Sequence, residues 1–129
     1  ALTPHRVGLM GGTGALSLLP ANAQYVVDTP WGAPSSALSE VTVGQAGQPE
    51  HAWMIARHGE PHRIPPHRVN YRANIQALKD AGVQHLIAIN AVGGIYPDFE
   101  VCELVLVYQI IDYTWGRDHT FSDGAEDPL

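Results

Sequence analysis

The chain has 129 residues and a mass of 13.9 kDa, enough for one small domain and too little for a repeat array or a two-domain enzyme. Its apolar content of 45% is ordinary for a globular protein. No apolar run approaches the ~20 residues that cross a bilayer, and Ala1 to Arg6 lack the apolar centre of a secretory signal. The net charge of −6 argues against a nucleic-acid partner.

Val7-Gly8-Leu9-Met10 is a short apolar run that reads as a buried strand, and Gly11-Gly12-Thr13-Gly14 after it reads as a glycine loop. Tyr25 to Val27 reads as a short strand. Asp28 to Ser35 is turn-rich and extended, because each proline drives its predecessor out of the helical region. Leu38 to Val43 and Ala52 to Ala56 read as strands, with the polar stretch Gly44 to Glu50 as their hairpin connection. Three prolines make Arg57 to His67 a loop. Asn70 is placed to cap a helix over 70–81 that Gly82 ends. His85 to Asn90 reads as a buried strand followed by a second glycine turn, Ala91 to Gly94. Leu104 to Ile111 reads as a further strand. A helix between two strands is a βαβ crossover, so part of the sheet is parallel, whereas the strands between 25 and 56 look antiparallel. The expected class is α/β, with a mixed central sheet flanked by helices.

Charge is divided unevenly along the chain. Residues 98–129 hold eight acids and one base, Arg117, whereas residues 1–97 hold five acids and six bases. The bases gather at Arg57, Arg63, Arg68 and Arg72, with His58, His62 and His67 among them. Such a cluster suits a small anion.

Three strand ends carry chemistry. Gly11 to Gly14 can turn successive N–H groups towards an anion, and Thr13 adds a hydroxyl. It is neither a Walker loop nor a complete dinucleotide fingerprint. Arg57-His58 offers a planar guanidinium fork and an imidazole that changes protonation near neutral pH. Asn90 to Gly94 is small enough to let a ligand approach the backbone. Each alone is ordinarily a turn or a surface pair. A parallel sheet brings all three to one rim, where open α/β sheets bind ligands. His58, His62 and His67 have metal-like spacing, but a proline loop gives them no common face, so no metal is expected. The single cysteine, Cys102, excludes an intrachain disulfide and a cysteine-based zinc site, and reads as a small buried apolar residue rather than a nucleophile. A cytoplasmic protein with no membrane partner is the expectation.

The ordered motifs resemble the methylthioadenosine and methylthioinosine phosphorylase branch of the purine nucleoside phosphorylases. They are the glycine loop, Asp28-Thr29-Pro30-Trp31-Gly32-x-Pro34-Ser35, Arg57-His58-Gly59-x-x-His62, Val69-Asn70-Tyr71-x-Ala73-Asn74-Ile75, Asn90-Ala91-Val92-Gly93-Gly94-Ile95, Gln109-x-Ile111-Asp112-Tyr113-Thr114 and Phe121-x-Asp123-Gly124. The resemblance covers nearly the whole chain. It implies phosphate binding at Thr13, Arg57, His58, Asn90 and Ala91, and nucleoside binding at Gly93, Gly94 and His62. It implies inorganic phosphate as co-substrate, no cofactor, and a homotrimer. Asn90 to Gly94 resembles the methylthioinosine enzymes, where methylthioadenosine enzymes more often have Thr-Ala-Cys-Gly-Ser. Release of a 6-oxopurine from S-methyl-5′-thioinosine is therefore expected. The family's Pro-Gly-Asp strand entry is replaced by Glu100-Val101-Cys102-Glu103, with Cys102 at the glycine position, and its Pro-Asp by Val107-Tyr108. The resemblance further implies that residues 1–129 are the N-terminal part of one phosphorylase domain whose C-terminal part reads the base. The alternatives are an S-methyl-5′-thioadenosine phosphorylase or a general 6-oxopurine nucleoside phosphorylase; beyond these stand a non-catalytic fragment and a nucleotide-binding module, which requires a helix straight after the glycine loop, where Pro20 and the strand-like 25–27 leave little room for one.

Overall fold

The computed structural model describes residues 2–122. Asp123 and Gly124 of the last motif, and the acidic residues beyond them, lie outside the described residues. The elements are β1 (Val7–Gly11), α1 (Thr13–Leu18), β2 (Ala21–Tyr25), β3 (Leu38–Gln45), β4 (Gln48–Ala56), a 3₁₀ turn over Pro66–Arg68, α2 (Tyr71–Asp80) and β5 (His85–Ile89). The five strands form one mixed sheet in the order β2-β3-β4-β1-β5. β1 is parallel to both β4 and β5, whereas β2-β3 and β3-β4 are antiparallel. The α/β class and the mixed sheet expected from the sequence are what the chain adopts. Among the described residues no helix is long and apolar enough to cross a membrane.

Strand alternation sorts the core onto the two faces of the sheet. Met10, Leu38, Trp53 and Ile55 pack with Ala77, Leu78 and Ala81 on and just beyond α2. Leu9, Val41, Ala52 and Met54 form the opposite face, joined by Leu19 after α1. Helix α2 starts where its cap predicts. The Asn70 side-chain oxygen accepts from the Ala73 N–H at 3.1 Å, and Gly82 follows the helix at a φ of +88°. The closeness of α2 and the turn after it to the sheet is visible at Gly8, where a Cβ would lie 3.3 Å from Leu78 Cδ2 of the helix and 2.8 Å from Val83 Cγ1 beyond it.

Four expectations need correction. The glycine loop is brief, because a six-residue helix, α1, begins at Thr13. β2 runs over 21–25 rather than 25–27, since its partner β3 pairs Ala21 with Val41 and Tyr25 with Leu38. β5 is exposed along its whole length rather than buried, because β1 is its one strand neighbour among the described residues. Leu104 to Ile111 forms no strand. Its apolar residues stand in solvent, Leu104 and Leu106 each 96% exposed. Apolar β-formers specify a strand only where an edge pairs with them.

Candidate anion-binding rim

The parallel pairing aligns three carboxyl ends. Gly11 is opposite Ala56 of β4 on one side and Ile89 of β5 on the other. The residues that follow, Gly12-Thr13, Arg57-His58 and Asn90-Ala91, therefore leave the sheet at one rim, although they are about 45 and 33 positions apart along the chain. The Arg57 N–H donates to the Gly11 carbonyl at 3.1 Å, carrying the ladder one residue beyond the strands.

Arg57 spans this rim. Its Nη1 donates to the Ile89 carbonyl at 2.8 Å, and its Nε donates to His58 Nε2 at 3.2 Å. Its Nη2 faces Gly12, where a Cβ would stand 3.4 Å from it. His58 Nδ1 lies 2.9 Å from the Ile64 carbonyl, and its ring stacks on His62 with centroids 4.8 Å apart and planes 5° off parallel. The turn that allows this is made at Gly59, whose φ of +83° favours a residue without Cβ and whose N–H returns to the Ala56 carbonyl at 2.9 Å. Arg57, His58 and His62 thus form one connected group. With both ring nitrogens of His58 engaged, that imidazole has no lone pair left for a metal, and among the described residues no three His, Cys, Asp or Glu side chains gather as a metal site.

The remaining predicted site residues are placed less tightly. Thr13 opens α1 beside Gly12, so its backbone is at the rim; its hydroxyl is not among the described groups. Asn90 and Ala91 follow β5 and are exposed. Gly93 and Gly94 lie further along an exposed segment, where a Cβ on Gly94 would meet Phe99 at 3.5 Å and one on Gly93 would meet nothing within 4 Å. The structure brings Gly12, Arg57, His58 and His62 together; it leaves Asn90 to Gly94 open.

Two motifs that look functional in the sequence brace the fold. Asn74 is fully buried; its Oδ1 accepts from the Ser35 N–H at 2.8 Å and its Nδ2 donates to Ser35 Oγ at 3.0 Å. Asn70 Nδ2 donates to the Trp31 carbonyl at 2.8 Å. The Arg72 guanidinium sits 4.4 Å over the Trp31 ring and pairs with Asp118 at 2.7 Å. Trp31 also meets Phe121 edge-on at 5.5 Å. The extended loop 28–35 and the segment 118–121 are so tied to the start of α2. In the nearby turn, the Thr114 hydroxyl and then its N–H donate to Asp112, holding that carboxyl below the usual carboxylate range. Cys102 is exposed rather than buried as expected, because the strand it was to enter does not form, and it has a φ of +68°, the one positive value among described non-glycine residues.

The sequence matches the phosphorylase superfamily over residues 6–128. The chain belongs to that superfamily. Among curated phosphorylases it is 46% identical over 115 residues to a probable S-methyl-5′-thioinosine phosphorylase of Pseudomonas syringae pv. tomato, covering 88% of this chain and 45% of the relative. It is 43% identical over 124 residues to the 6-oxopurine nucleoside phosphorylase of Pyrococcus furiosus, covering 95% and 44%. It is 44% identical over 121 residues to the S-methyl-5′-thioadenosine phosphorylase of Thermofilum pendens, covering 92% and 45%. Among solved phosphorylase structures, it superposes on methylthioadenosine phosphorylase from Schistosoma mansoni in complex with adenine, with a TM-score of 0.80 and 40% identity over 96% of this chain and 44% of that one. The chain spans under half the length of these phosphorylases. The family resemblance drawn from the motifs and the nucleoside-phosphorylase type of fold are thereby established.

The sequence reading missed the two backbone acceptors that fix the rim, the carbonyls of Ile64 and Ile89. No sequence signal marks these carbonyls: the register of β5 against Gly11 and the path of the proline loop bring them to the rim.

Proposed function

We propose that the protein carrying this chain is a nucleoside phosphorylase that cleaves S-methyl-5′-thioinosine with inorganic phosphate, giving hypoxanthine and 5-methylthioribose 1-phosphate. The observation that carries the reading is the guanidinium of Arg57, held at the meeting point of three parallel strand ends beside the Gly11-Gly12 turn. Residues 1–129 are, in this reading, the N-terminal part of one phosphorylase domain, and the enzyme is a homotrimer working in purine salvage in the cytoplasm. Phosphate is the co-substrate and no cofactor takes part.

Arg57, with His58, Thr13, Asn90 and Ala91, forms the phosphate subsite. Gly93, Gly94 and His62 border the nucleoside. Phosphate bound there faces C1′ of the thioribose. One of its oxygens bonds to C1′ as the C1′–N9 bond breaks, and the electron pair leaves with the purine, which takes up a proton. The sugar is oxocarbenium-like at the transition state, so a fixed phosphate dianion beneath it lowers the barrier electrostatically. Holding phosphate in place also removes the entropy of a bimolecular encounter. The likeness of Asn90 to Gly94 to the methylthioinosine enzymes supports the 6-oxopurine substrate, while similarity at 43–46% identity to a probable thioinosine, a 6-oxopurine and a thioadenosine enzyme supports the phosphorylase class.

In the full-length protein, hypoxanthine release from methylthioinosine is expected only when phosphate is present. Release without phosphate identifies a hydrolase and overturns the reading; faster turnover of methylthioadenosine moves the substrate to the adenine nucleoside. Arg57→Ala is expected to raise the KM for phosphate at least tenfold.

A further inference from the structure

We infer that β5 is an interior strand of the full-length protein, its open edge paired with an apolar strand of the same polypeptide from beyond residue 129; this rests on the reading of residues 1–129 as the N-terminal part of one domain and is independent of phosphate binding. The two edges of the sheet, β2 and β5, are built differently. The β2 edge is guarded. Ala21 to Gln24 are small or polar, the register against β3 shifts between Ala21 and Ala23, and Asn22 and Gln24 donate side-chain hydrogen bonds back to Thr42 and Ser39 of β3. An irregular register and polar side chains are devices by which a sheet ends in water. The β5 edge has neither. Leu86-Ile87-Ala88-Ile89 is continuously apolar, without charge or proline, and pairs with β1 in unbroken register. An uninterrupted apolar run is the pattern of a strand covered on both faces.

Register shows what is left uncovered. Leu86 is opposite Gly8 and Ile87 opposite Leu9, so these two side chains continue the two faces of the core. Leu86 walls an apolar groove with Ile75 and Leu78 of α2 and Val83 beyond it. Leu9 is 6% exposed, whereas Ile87 beside it is 53% exposed. The backbone is open as well. The His85 N–H donates to the Arg6 carbonyl at 3.0 Å, on the β1 side. Alternation along the strand then turns the N–H and C=O groups of Leu86 and Ala88 to the open side. A neighbouring strand satisfies those groups and covers Leu86 and Ile87 together. The apolar run from Leu104 to Ile111 is present in the structure and stands in solvent away from any strand. The chain spans under half the length of the phosphorylases it matches, so the remaining polypeptide is long enough to supply the strand.

The test combines amide hydrogen exchange at single-residue resolution on the full-length wild type with photo-cross-linking from Ile87→p-benzoylphenylalanine. The amides of Leu86 and Ala88 are expected to exchange at least roughly a hundredfold more slowly than in an unstructured chain. The cross-link is expected to leave the mass on a denaturing gel at that of one polypeptide and to join a peptide from beyond residue 129. Leu86 and Ala88 amides that exchange at unstructured rates overturn the pairing. So does a cross-linked product of doubled mass, which gives the edge to a second copy, or a cross-link to Leu104–Ile111. Each of these leaves the domain reading intact. An intact mass showing that the natural polypeptide ends at Leu129 overturns the domain reading, and the pairing with it. If the Ile87 variant does not fold, Leu86→p-benzoylphenylalanine probes the other face, and the wild-type exchange needs no variant.

Discussion

Asn74 carries no charge, yet it holds the backbone and hydroxyl of Ser35 from within the protein. Truncating it leaves a buried N–H and a buried hydroxyl without partners, and an unsatisfied buried polar group costs roughly 1–3 kcal/mol. Asn74→Ala is therefore expected to lower stability by about 2 kcal/mol, read as a lower urea midpoint at unchanged m-value. A midpoint unchanged within error removes Asn74 from the bracing of the 28–35 loop. At this scale the sequence is legible where a side chain acts on its own neighbourhood, as with the Asn70 cap and the Gly82 stop. It is silent where the acting group is backbone, because every residue has a carbonyl and only the fold says which ones meet Arg57 and His58. Cys102 is an intermediate case. Its place at the family's glycine position marks it as a departure, and the backbone there is left-handed despite the Cβ, at a cost of about 1–2 kcal/mol.

At the scale of elements, the hairpin β3-β4, the capped helix α2 and the parallel relation of β5 to the sheet are legible because each has a local signal: alternation, a cap, or a crossover. The strand expected at 104–111 is not there because periodicity describes a surface seeking a partner and not the partner itself. The α1 helix is missed for the opposite reason. Six residues without a capping side chain leave almost no sequence trace, and Leu19 tethers the end of the helix to the sheet. The packing of α2 on β1 gives this scale its own test. Gly8→Ala pushes a Cβ against the branched Val83 and to 3.3 Å from Leu78 Cδ2 of α2. Overpacking of this kind costs about 1–3 kcal/mol. A loss of that size is expected in a thermal melt, and an alanine variant as stable as the wild type means that α2 can ride away from the strand freely.

For the whole molecule, the uneven charge has a structural counterpart. Arg57, from the mildly basic first 97 residues, spans the strand ends, while the acidic stretch from Asp98 runs on as largely exposed chain without regular structure as far as Ser122. The rim itself is assembled from three segments far apart in sequence, joined by parallel pairing. Parallel pairing needs long loop closures before any contact rewards them, so it forms late in folding. No short stretch of the unfolded chain carries more than a third of the rim. A phosphate ion therefore has a seat on the folded protein and none on the unfolded one. By mass action the anion becomes a ligand for the fold itself, contributing about 2.7 kcal/mol at a hundred times its dissociation constant. The melting temperature of the full-length protein should climb with phosphate concentration and lose that dependence in Arg57→Ala. A melting temperature indifferent to phosphate in the wild type would separate the rim from anion binding.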